Sequence, residues 1–235
     1  MKKNLTILTG AGISQESGLK TFRDSDGLWM GYDVYEVASP EGWKKDPKLV
    51  LDFYNQRRKD VADAFPNRAH KVIAELEELF NVSVITQNID DLHERTGSKN
   101  VLHLHGEIFK MRSEQDGTKF YDINGDINFG DKAQDGFQLR PHVVWFGEPV
   151  PFILHARNIM SKADIFILVG TSLQVYPASG LIDYLPLNTP KYIIDKNPPY
   201  VPAHHNFHII KKSATAGMEE LKTILMNNFY DNKEG

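Results

Sequence analysis

The 235-residue sequence contains no cysteine, and this absence restricts the chemistry available to it. Disulfides, thiolate zinc sites and thiol nucleophiles are all excluded. An excess of charge of one sign is also missing, because 27 Lys and Arg residues stand against 31 Asp and Glu residues, a formal net charge of −4. No block of like charge occurs, so we expect no nucleic-acid partner.

Long hydrophobic runs are absent as well. No stretch of about 18 consecutive apolar residues occurs, and the first ten residues, MKKNLTILTG, carry only a few apolar side chains. We therefore expect a soluble, cytoplasmic protein with no membrane partner, and a monomer is compatible with the sequence. A chain of this length can bury the core of one large domain, or of one domain with an insertion.

Short apolar runs alternate with helical patterns along the chain. Six runs predict strands: LTILT, VSVITQNID, VLHLHG, DIFILVGTS, KYIIDKN and FHIIKKS. Four segments with apolar residues three and four apart predict helices: PKLVLDFYNQRRKDVADAF, NRAHKVIAELEELF, FILHARNIMSKA and AGMEELKTILMNNF. This alternation favours an α/β fold with a doubly wound parallel sheet covered by helices.

Two segments fit this sheet poorly. Residues 31–83 are mainly helical in pattern, and residues 112–139 are rich in Gly, Asp and Asn. We expect both to form a smaller accessory lobe, while residues 1–30, 84–111 and 140–235 form the sheet domain. The active site is then expected in the cleft between the lobe and the sheet.

Small or polar clusters follow four predicted strands: TGAGIS, TQNIDD, GTS at 170–172, and DKNPP, which contains Asn197. The carboxyl ends of parallel strands meet in one crevice, where doubly wound folds bind ligands. Each cluster alone is better explained by ordinary turns, but four together favour a nucleotide site. Gly10 and Gly12 fit the dinucleotide pattern G-x-G-x-x-G, whereas Gly18 comes too late for it.

The run VLHLHGE places His103 and His105 two residues apart, on one side of a predicted strand. A buried core histidine and half of a metal site are both alternatives, although no other histidine has a ligand spacing that ties it to this pair. His105 precedes Gly106 at the strand end, where an imidazole is well placed to act as a general base near neutral pH. We favour the base.

Six motifs occur in order along nearly the whole chain: GAGIS, TFR, TQNIDDLHERTG, LHGE, RPHVVWFGE and GTSLQVYPASGL. Together they resemble the motif series of the sirtuins, which are NAD-dependent protein-lysine deacylases. The resemblance implies a Rossmann-like sheet domain, NAD consumed as a co-substrate, and acylated protein or peptide lysines as partners. In sirtuins the long glycine loop holds NAD and closes over the nicotinamide ribose, which explains the late third glycine.

The resemblance also implies roles for the residues that match its motifs, with His105 as the base that acts through the ribose hydroxyls. NAD-binding residues are implied at Gly10, Ala11, Gly12, Ile13, Ser14, Thr21, Phe22, Arg23, Trp29, Gln87, Asn88, Ile89, Asp90, Gly170, Thr171, Ser172, Asn197 and Ala214. Substrate-binding residues are implied at Ala38, Tyr54, Arg57, Val143, Val144, Phe146, Gly147 and Glu148. The segment 143–148 is expected to add the substrate peptide as a strand.

Tyr54 and Arg57 lie three residues apart on one face of a predicted helix. On an arbitrary helix such a pair would be a solvated arginine beside a half-buried tyrosine. Sirtuins that remove succinyl and malonyl groups carry Tyr-x-x-Arg here, with a small alanine earlier in the chain where this sequence has Ala38. A guanidinium and a phenol together suit a carboxylate. The resemblance therefore implies removal of succinyl, malonyl and acetyl groups.

The sequence departs from the sirtuin pattern between LHGE and RPHVVWFGE. Sirtuins usually carry two cysteine pairs there that bind a structural zinc, and this chain has none, so we expect no zinc. An apolar cluster is a possible substitute, formed by Phe120, Tyr121, Ile123, Ile127, Phe129 and Phe137. The aspartates of this segment lack the EF-hand spacing.

Two other functions are compatible with the same scaffold: an ADP-ribosyltransferase or NAD hydrolase, and a non-catalytic NAD sensor. His105 disfavours the sensor, because a sensor needs no base at the ribose. The complete RPHVVWFGE segment disfavours a hydrolase, because hydrolysis of NAD needs no acyl tunnel.

Overall fold

The computed structural model describes residues 2–20, 28–29 (backbone alone), 31–123 and 125–229. The strands are β1 (Asn4–Thr9), β2 (Leu28–Trp29), β3 (Tyr32–Asp33), β4 (Asn81–Thr86), β5 (Val101–His103), β6 (Gly106–Ser113), β7 (Phe120–Asp122), β8 (Leu139–Val143), β9 (Ile165–Val169), β10 (Lys191–Ile194) and β11 (Phe207–Ile210). The helices are α1 (Val34–Val37), α2 (Pro40–Lys45), α3 (Pro47–Asp63), α4 (Arg68–Leu76), α5 (Leu92–Arg95), α6 (Ile153–Met160) and α7 (Ala214–Phe229). Within these ranges, every helix is too short or too polar to cross a membrane.

The six predicted strands form one parallel sheet in the order β11-β10-β9-β1-β4-β5. Strands β4 and β5 extend the sheet on one side of β1, and the later strands extend it on the other. The order therefore reverses between β1 and β9, and the carboxyl ends of these two strands form the switch point at which doubly wound sheets bind ligands. The predicted α/β fold is confirmed.

Alternate strand residues pack against helices on opposite faces of the sheet. Leu5 and Ile7 belong to a buried cluster that includes residues of α4 and α7. Leu8 belongs to a second cluster, with residues of α6. Because both faces are covered, the strands are almost continuously apolar in sequence.

A second group of elements packs beside the sheet. Helices α1 to α3 share a buried cluster with β6 and β8, which includes Tyr54, Ile108 and Val143. Strand β6 is the centre of an antiparallel sheet in the order β7-β6-β8. The sequence analysis missed this sheet because Gly, Asp and Asn dominate residues 112–139 and conceal the short β7.

Helix α4 packs on the central sheet, although residues 31–83 were predicted to lie in the accessory lobe. Val72, Ile73 and Leu76 are fully buried in the same cluster as β1. Its amphipathic pattern predicts that the helix covers an apolar surface, but the pattern does not identify that surface. This part of the assignment is corrected, and the division of the chain into two domains stays a prediction.

Helix α3 anchors the segment that replaces the usual cysteine pairs. The Asn55 side chain donates to the carbonyl of Ile127 (2.9 Å) and accepts from the N–H of the same residue (3.0 Å). Arg58 donates to the carbonyls of Ile108 (3.0 Å) and Gly125 (3.2 Å), and to Asn55 Oδ1 (2.8 Å). These side-chain bonds hold the backbone of the segment against the helix.

The predicted apolar cluster in this segment is half correct. Tyr121, Ile123 and Ile127 pack in the cluster with α3, whereas Phe120, Phe129 and Phe137 are exposed. Across the described ranges, no group of three or more His, Asp or Glu residues could hold a metal ion. The residues present there do not fit a zinc site, and the lack of zinc stays a prediction.

Candidate active site

A cavity of about 590 Å³ lies at the carboxyl ends of the central strands, beside α3 and the residues that follow β8. It is lined by most of the predicted residues: Gly10, Ala11, Gly12, Ser14, Ala38, Tyr54, Arg57, Gln87, Asn88, Ile89, Asp90, His105, Val143, Val144, Phe146, Gly147, Glu148, Gly170, Thr171, Ser172, Asn197 and Ala214. The fold thus brings together residues that are far apart in sequence.

Five predicted residues are not placed in this lining. Ile13 is fully buried in the core of the sheet, where its branched apolar side chain packs with β1 and β9, so its side chain does not face a ligand. Thr21, Phe22 and Arg23 lie outside the described residues, and so does the side chain of Trp29.

Sequence reasoning missed several residues that line the cavity: Gln15, Glu16, Leu19, Lys20, Trp145, Val150, Gln174, Val175, Tyr176, Asp195, Lys196 and Ser213. Most of them lie within two residues of a predicted position. The signal that could have found them is the loop itself, because a loop that crosses a cavity exposes neighbouring residues and not only those of a motif.

The glycines of the first loop allow two loops to touch. A Cβ atom on Gly10 would lie 2.7 Å from Thr171 Cβ, and one on Gly12 would lie 2.7 Å from Gly170 Cα. Gly170 has a φ of 62°, and a Cβ there would lie 2.4 Å from the nitrogen of Ile13. Glycine therefore lets the loops after β1 and β9 pack backbone to backbone at the switch point.

Polar side chains connect these loops with the one after β4. Ser14 Oγ donates to Asp90 Oδ2 (3.0 Å) and accepts from Asn88 Nδ2 (3.2 Å). Gln87 Nε2 donates to Thr171 Oγ1 (2.9 Å). Burial raises the pKa of Asp90, although the N–H of Leu92 and the hydroxyl of Ser14 oppose the shift. The polar groups are thus already oriented by their own contacts.

His105 lines the cavity and is half-buried. Its Nδ1 donates to the carbonyl oxygen of Gln87 at 3.0 Å. Since a carbonyl can only accept, the neutral ring carries its proton on Nδ1 and its lone pair on Nε2. Burial lowers the pKa of His105 below the usual 6.5, against the effect of the hydrogen bond to Gln87. His105 is therefore neutral and basic at Nε2 at pH 7, as a general base requires.

His103 has a different environment. Its Nδ1 donates to the carbonyl of Asn88 (3.0 Å), and its Nε2 donates to the Glu94 carboxylate (2.8 Å). Burial lowers the pKa of His103, but the bond to Glu94 outweighs burial, and the net shift is upward. Strand β5 ends at His103, so the prediction that one strand carries both histidines is wrong. His103 is the buried core histidine of the two.

Tyr54 and Arg57 lie one helical turn apart on α3, with exposed fractions of 0% and 7%. Arg57 is therefore not the solvated arginine of a surface helix. Burial lowers its pKa, and the nearby Asp90 opposes the shift. The carbonyl of Ala38 accepts from the N–H of Phe146 (2.9 Å), which joins α1 to the segment after β8. We refer to Ala38, Tyr54 and Arg57 as the acyl pocket.

Comparison with known proteins identifies the family of this chain. The model of the Sir2 family matches residues 10–177. The chain belongs to the Sir2 family. A relative from Bacteroides thetaiotaomicron, an NAD-dependent protein deacylase, is 51% identical to this sirtuin over 95% of this chain and 98% of its own length. A protein of the same description from Helicobacter pylori is 52% identical over 93% of this chain and 96% of its own.

A solved structure of a Sir2 homologue in complex with NAD matches this sirtuin with a TM-score of 0.85 and 36% identity. The match covers 96% of this chain and 90% of that chain. The predicted family is confirmed: this sirtuin is an NAD-dependent protein-lysine deacylase, with NAD as its co-substrate. The glycine loops and the Ser14–Asn88–Asp90 bonds at the switch point fit a dinucleotide.

The segment after β8 is braced within the sirtuin by Glu148. This carboxylate accepts from the Trp145 N–H (2.8 Å), from Arg140 (2.7 Å) and from Arg112 (3.3 Å). Burial raises the pKa of Glu148, but Arg140 outweighs burial, and the net shift is downward. The N–H of Val144 donates to the carbonyl of His105 (2.9 Å), which ties the segment to His105. Glu148 therefore stabilises the conformation of this segment through its hydrogen bonds to Trp145, Arg140 and Arg112.

Proposed function

We propose that this sirtuin removes succinyl and malonyl groups, as well as acetyl groups, from protein lysines. The reaction consumes NAD and one water, and the products are nicotinamide, O-acyl-ADP-ribose and free lysine. The observation that carries the proposal is the buried guanidinium of Arg57, which lines the cavity beside the phenol of Tyr54. A guanidinium binds a carboxylate in bidentate fashion, and a phenol O–H can donate a third hydrogen bond.

Ala38 supports the same assignment through its size. Its side chain is a single methyl group in the lining of the cavity, so it leaves room for an acyl chain that is longer than acetyl. The bond from Phe146 to its carbonyl holds it next to the segment that forms the acyl tunnel. A neutral acetyl group fits the same space without using the charge, so we expect activity on both, with acidic acyl groups preferred.

The remaining residues have roles in binding and proton transfer. Bound NAD supplies a ribose carbon that reacts with the acyl oxygen, and nicotinamide leaves. Gly10, Gly12 and Gly170 let the backbone of their loops approach the diphosphate closely, Asn88 and Asp90 hold the nicotinamide end, and Ser172, Asn197 and Ala214 hold the adenosine half. His105 accepts a proton at Nε2 from the ribose hydroxyls.

The substrate peptide binds next to β8 in this proposal. Among the described strands, β8 lies at one edge of the order β7-β6-β8, and the residues that follow it line the cavity. An edge strand can pair with an added strand. Main-chain hydrogen bonds carry little sequence information, so the enzyme should accept many peptide sequences around the acyl-lysine.

The test compares kcat/KM for succinyl-lysine and acetyl-lysine versions of one peptide. In Arg57→Met we expect desuccinylation to fall about 100-fold, because charge-assisted bonds to the carboxylate are lost, while deacetylation is largely kept. Lys59→Met is the matched control, since Lys59 is an exposed cation on the same helix that pairs with Asp126. It should leave both activities unchanged.

Two results would contradict the proposal: a wild type that does not remove succinyl groups, or an Arg57→Met variant that loses both activities equally. Mass spectrometry of the products checks the reaction itself. O-succinyl-ADP-ribose is expected, whereas free ADP-ribose or ADP-ribosylated protein would indicate a hydrolase or transferase.

A further inference from the structure

Trp145 contacts the acyl pocket through Tyr54. Its side chain is 2% exposed, and its indole N–H donates to the Tyr54 hydroxyl oxygen at 3.1 Å. The two residues are far apart in sequence and meet because the segment after β8 packs on α3. The sequence analysis named the residues on either side of Trp145, but it gave no separate role to the indole.

The chemistry of the two groups fixes the direction of this bond. An indole N–H can only donate, so the Tyr54 oxygen is the acceptor. A phenol has a single proton, and this proton must then be donated to a group other than Trp145. Because Tyr54 and Arg57 both line the cavity, a carboxylate bound there can accept this proton and also pair with the guanidinium.

Trp145 is itself held on two sides. The Arg140 guanidinium carbon lies 3.1 Å from the centroid of the indole ring, and the Trp145 backbone N–H donates to Glu148 (2.8 Å). Arg140 donates to the same carboxylate (2.7 Å). A cation over an aromatic face is attractive, so ring and backbone are both restrained, and the direction of the N–H is set before substrate binds.

We infer that Trp145 is a positioning residue for acyl selectivity: its N–H occupies the Tyr54 oxygen as acceptor, so that the Tyr54 O–H is donated to the distal carboxylate of a succinyl or malonyl group. This inference rests on the proposed function, because only an acyl group with a terminal carboxylate uses that donor. An acetyl group ends in a methyl and gains nothing from it.

The test uses Trp145→Phe, which keeps an aromatic ring over Arg140 and removes the N–H. We expect KM for the succinyl peptide to rise about tenfold with kcat little changed, while deacetylation stays within about twofold. In a Tyr54→Phe background the same substitution should cause no further change in the ratio of the two activities, because the hydroxyl is already absent.

The matched control is Trp43→Phe. The Trp43 ring packs 5.6 Å from that of Trp145, but its N–H donates to Glu114 (3.0 Å), away from Tyr54. This variant should keep the wild-type ratio. If Trp145→Phe folds poorly, site-specific replacement of Trp145 by benzothienylalanine removes the N–H with little change of shape, and it should give the same shift in the ratio.

An unchanged ratio in Trp145→Phe, equal loss of both activities, or a full further loss in the Tyr54→Phe background would overturn the role of Trp145. These outcomes are separate from failure of the proposed function. If the wild type removes succinyl groups and Arg57→Met abolishes this activity, the proposed function of the acyl pocket is supported whatever the result for Trp145. If the wild type does not remove succinyl groups, the proposed function and the role of Trp145 are both wrong.

Discussion

The contacts of the His105 side chain suit it to the role of general base that we propose for it. The Gln87 carbonyl holds the proton on Nδ1, and burial keeps the ring neutral below the usual histidine pKa of 6.5. Both effects leave Nε2 with a lone pair at physiological pH. A neighbouring backbone group and limited exposure to solvent thus favour His105 as the proposed base.

We predict that kcat/KM is level near neutral pH and falls on the acid side below pH 6.5, as His105 gains a proton. The sign follows from the role of a base, which is active only when unprotonated, and from the lowered pKa of the folded enzyme. His105→Asn should lose at least about 100-fold in kcat and keep its fold. A pH–rate profile measures the fall of kcat/KM in acid, and single-turnover assays measure the loss of turnover in His105→Asn.

The control for this prediction is His155→Asn, since His155 is exposed on α6 and does not line the cavity. It should retain the wild-type profile. A His105→Asn variant with near wild-type turnover, or an acid limb that persists in it, would show that another group is the base.

At the scale of elements, neighbouring residues of α3 line the cavity and bind the segment 112–139. Tyr54 and Arg57 line the cavity, while Asn55 and Arg58 bind the backbone of residues 112–139. Successive residues of an α-helix are rotated by about 100° around its axis. Neighbouring residues of α3 can therefore face the cavity and the segment 112–139, respectively. The helix therefore couples the position of the acyl pocket to the segment where other sirtuins carry their cysteines.

We predict that Asn55→Ala lowers the free energy of unfolding by about 2–3 kcal/mol, because the N–H and carbonyl of Ile127 lose their partners in a buried place. Urea unfolding measures the change, and hydrogen exchange should show faster exchange within residues 112–139. EDTA should leave the wild-type unfolding midpoint unchanged. A neutral substitution, or a midpoint that falls with EDTA, would mean that something else anchors the segment.

At the scale of the whole molecule, several buried histidines are kept neutral by the fold. Burial lowers the pKa of His70 and of His142 to about 4, and it lowers that of His93 well below 6.5. In the unfolded chain these groups bind protons near pH 6.5. Between pH 6.5 and 4 the unfolded state therefore binds more protons than the folded state.

We predict that the free energy of unfolding decreases as the pH falls from 6.5 to 4, by on the order of 1–3 kcal/mol each for His70 and His142, whose pKa values are lowered to about 4. His70→Gln provides a matched test. His70 Nδ1 accepts from the N–H of Asn67 at the start of α4, and a glutamine at this position can make the same capping bond. Urea unfolding at several pH values gives the change of the free energy of unfolding with pH. For His70→Gln this change should correspond to one proton fewer taken up on unfolding than in the wild type. An unchanged pH dependence would contradict the assignment.

The sequence by itself determined the α/β class, the six strands of the central sheet, the family and most of the described cavity residues. Each of these depends on local information. Apolar runs of strand length, helical periodicity and contiguous motifs such as TQNIDDLHERTG can be read without knowing what packs against them. The glycine pattern likewise indicated a nucleotide-binding loop after the first strand.

Only the tertiary structure decided which surface α4 covers, how residues 112–139 are supported, and which histidine is basic. These depend on partners distant in the chain: α4 on β1, Ile127 on Asn55, and His105 on the carbonyl of Gln87. The bond from Trp145 to Tyr54 belongs to the same class. Burial and hydrogen-bond direction are properties of the packed molecule, because they arise only when segments that are remote in sequence exclude water from each other.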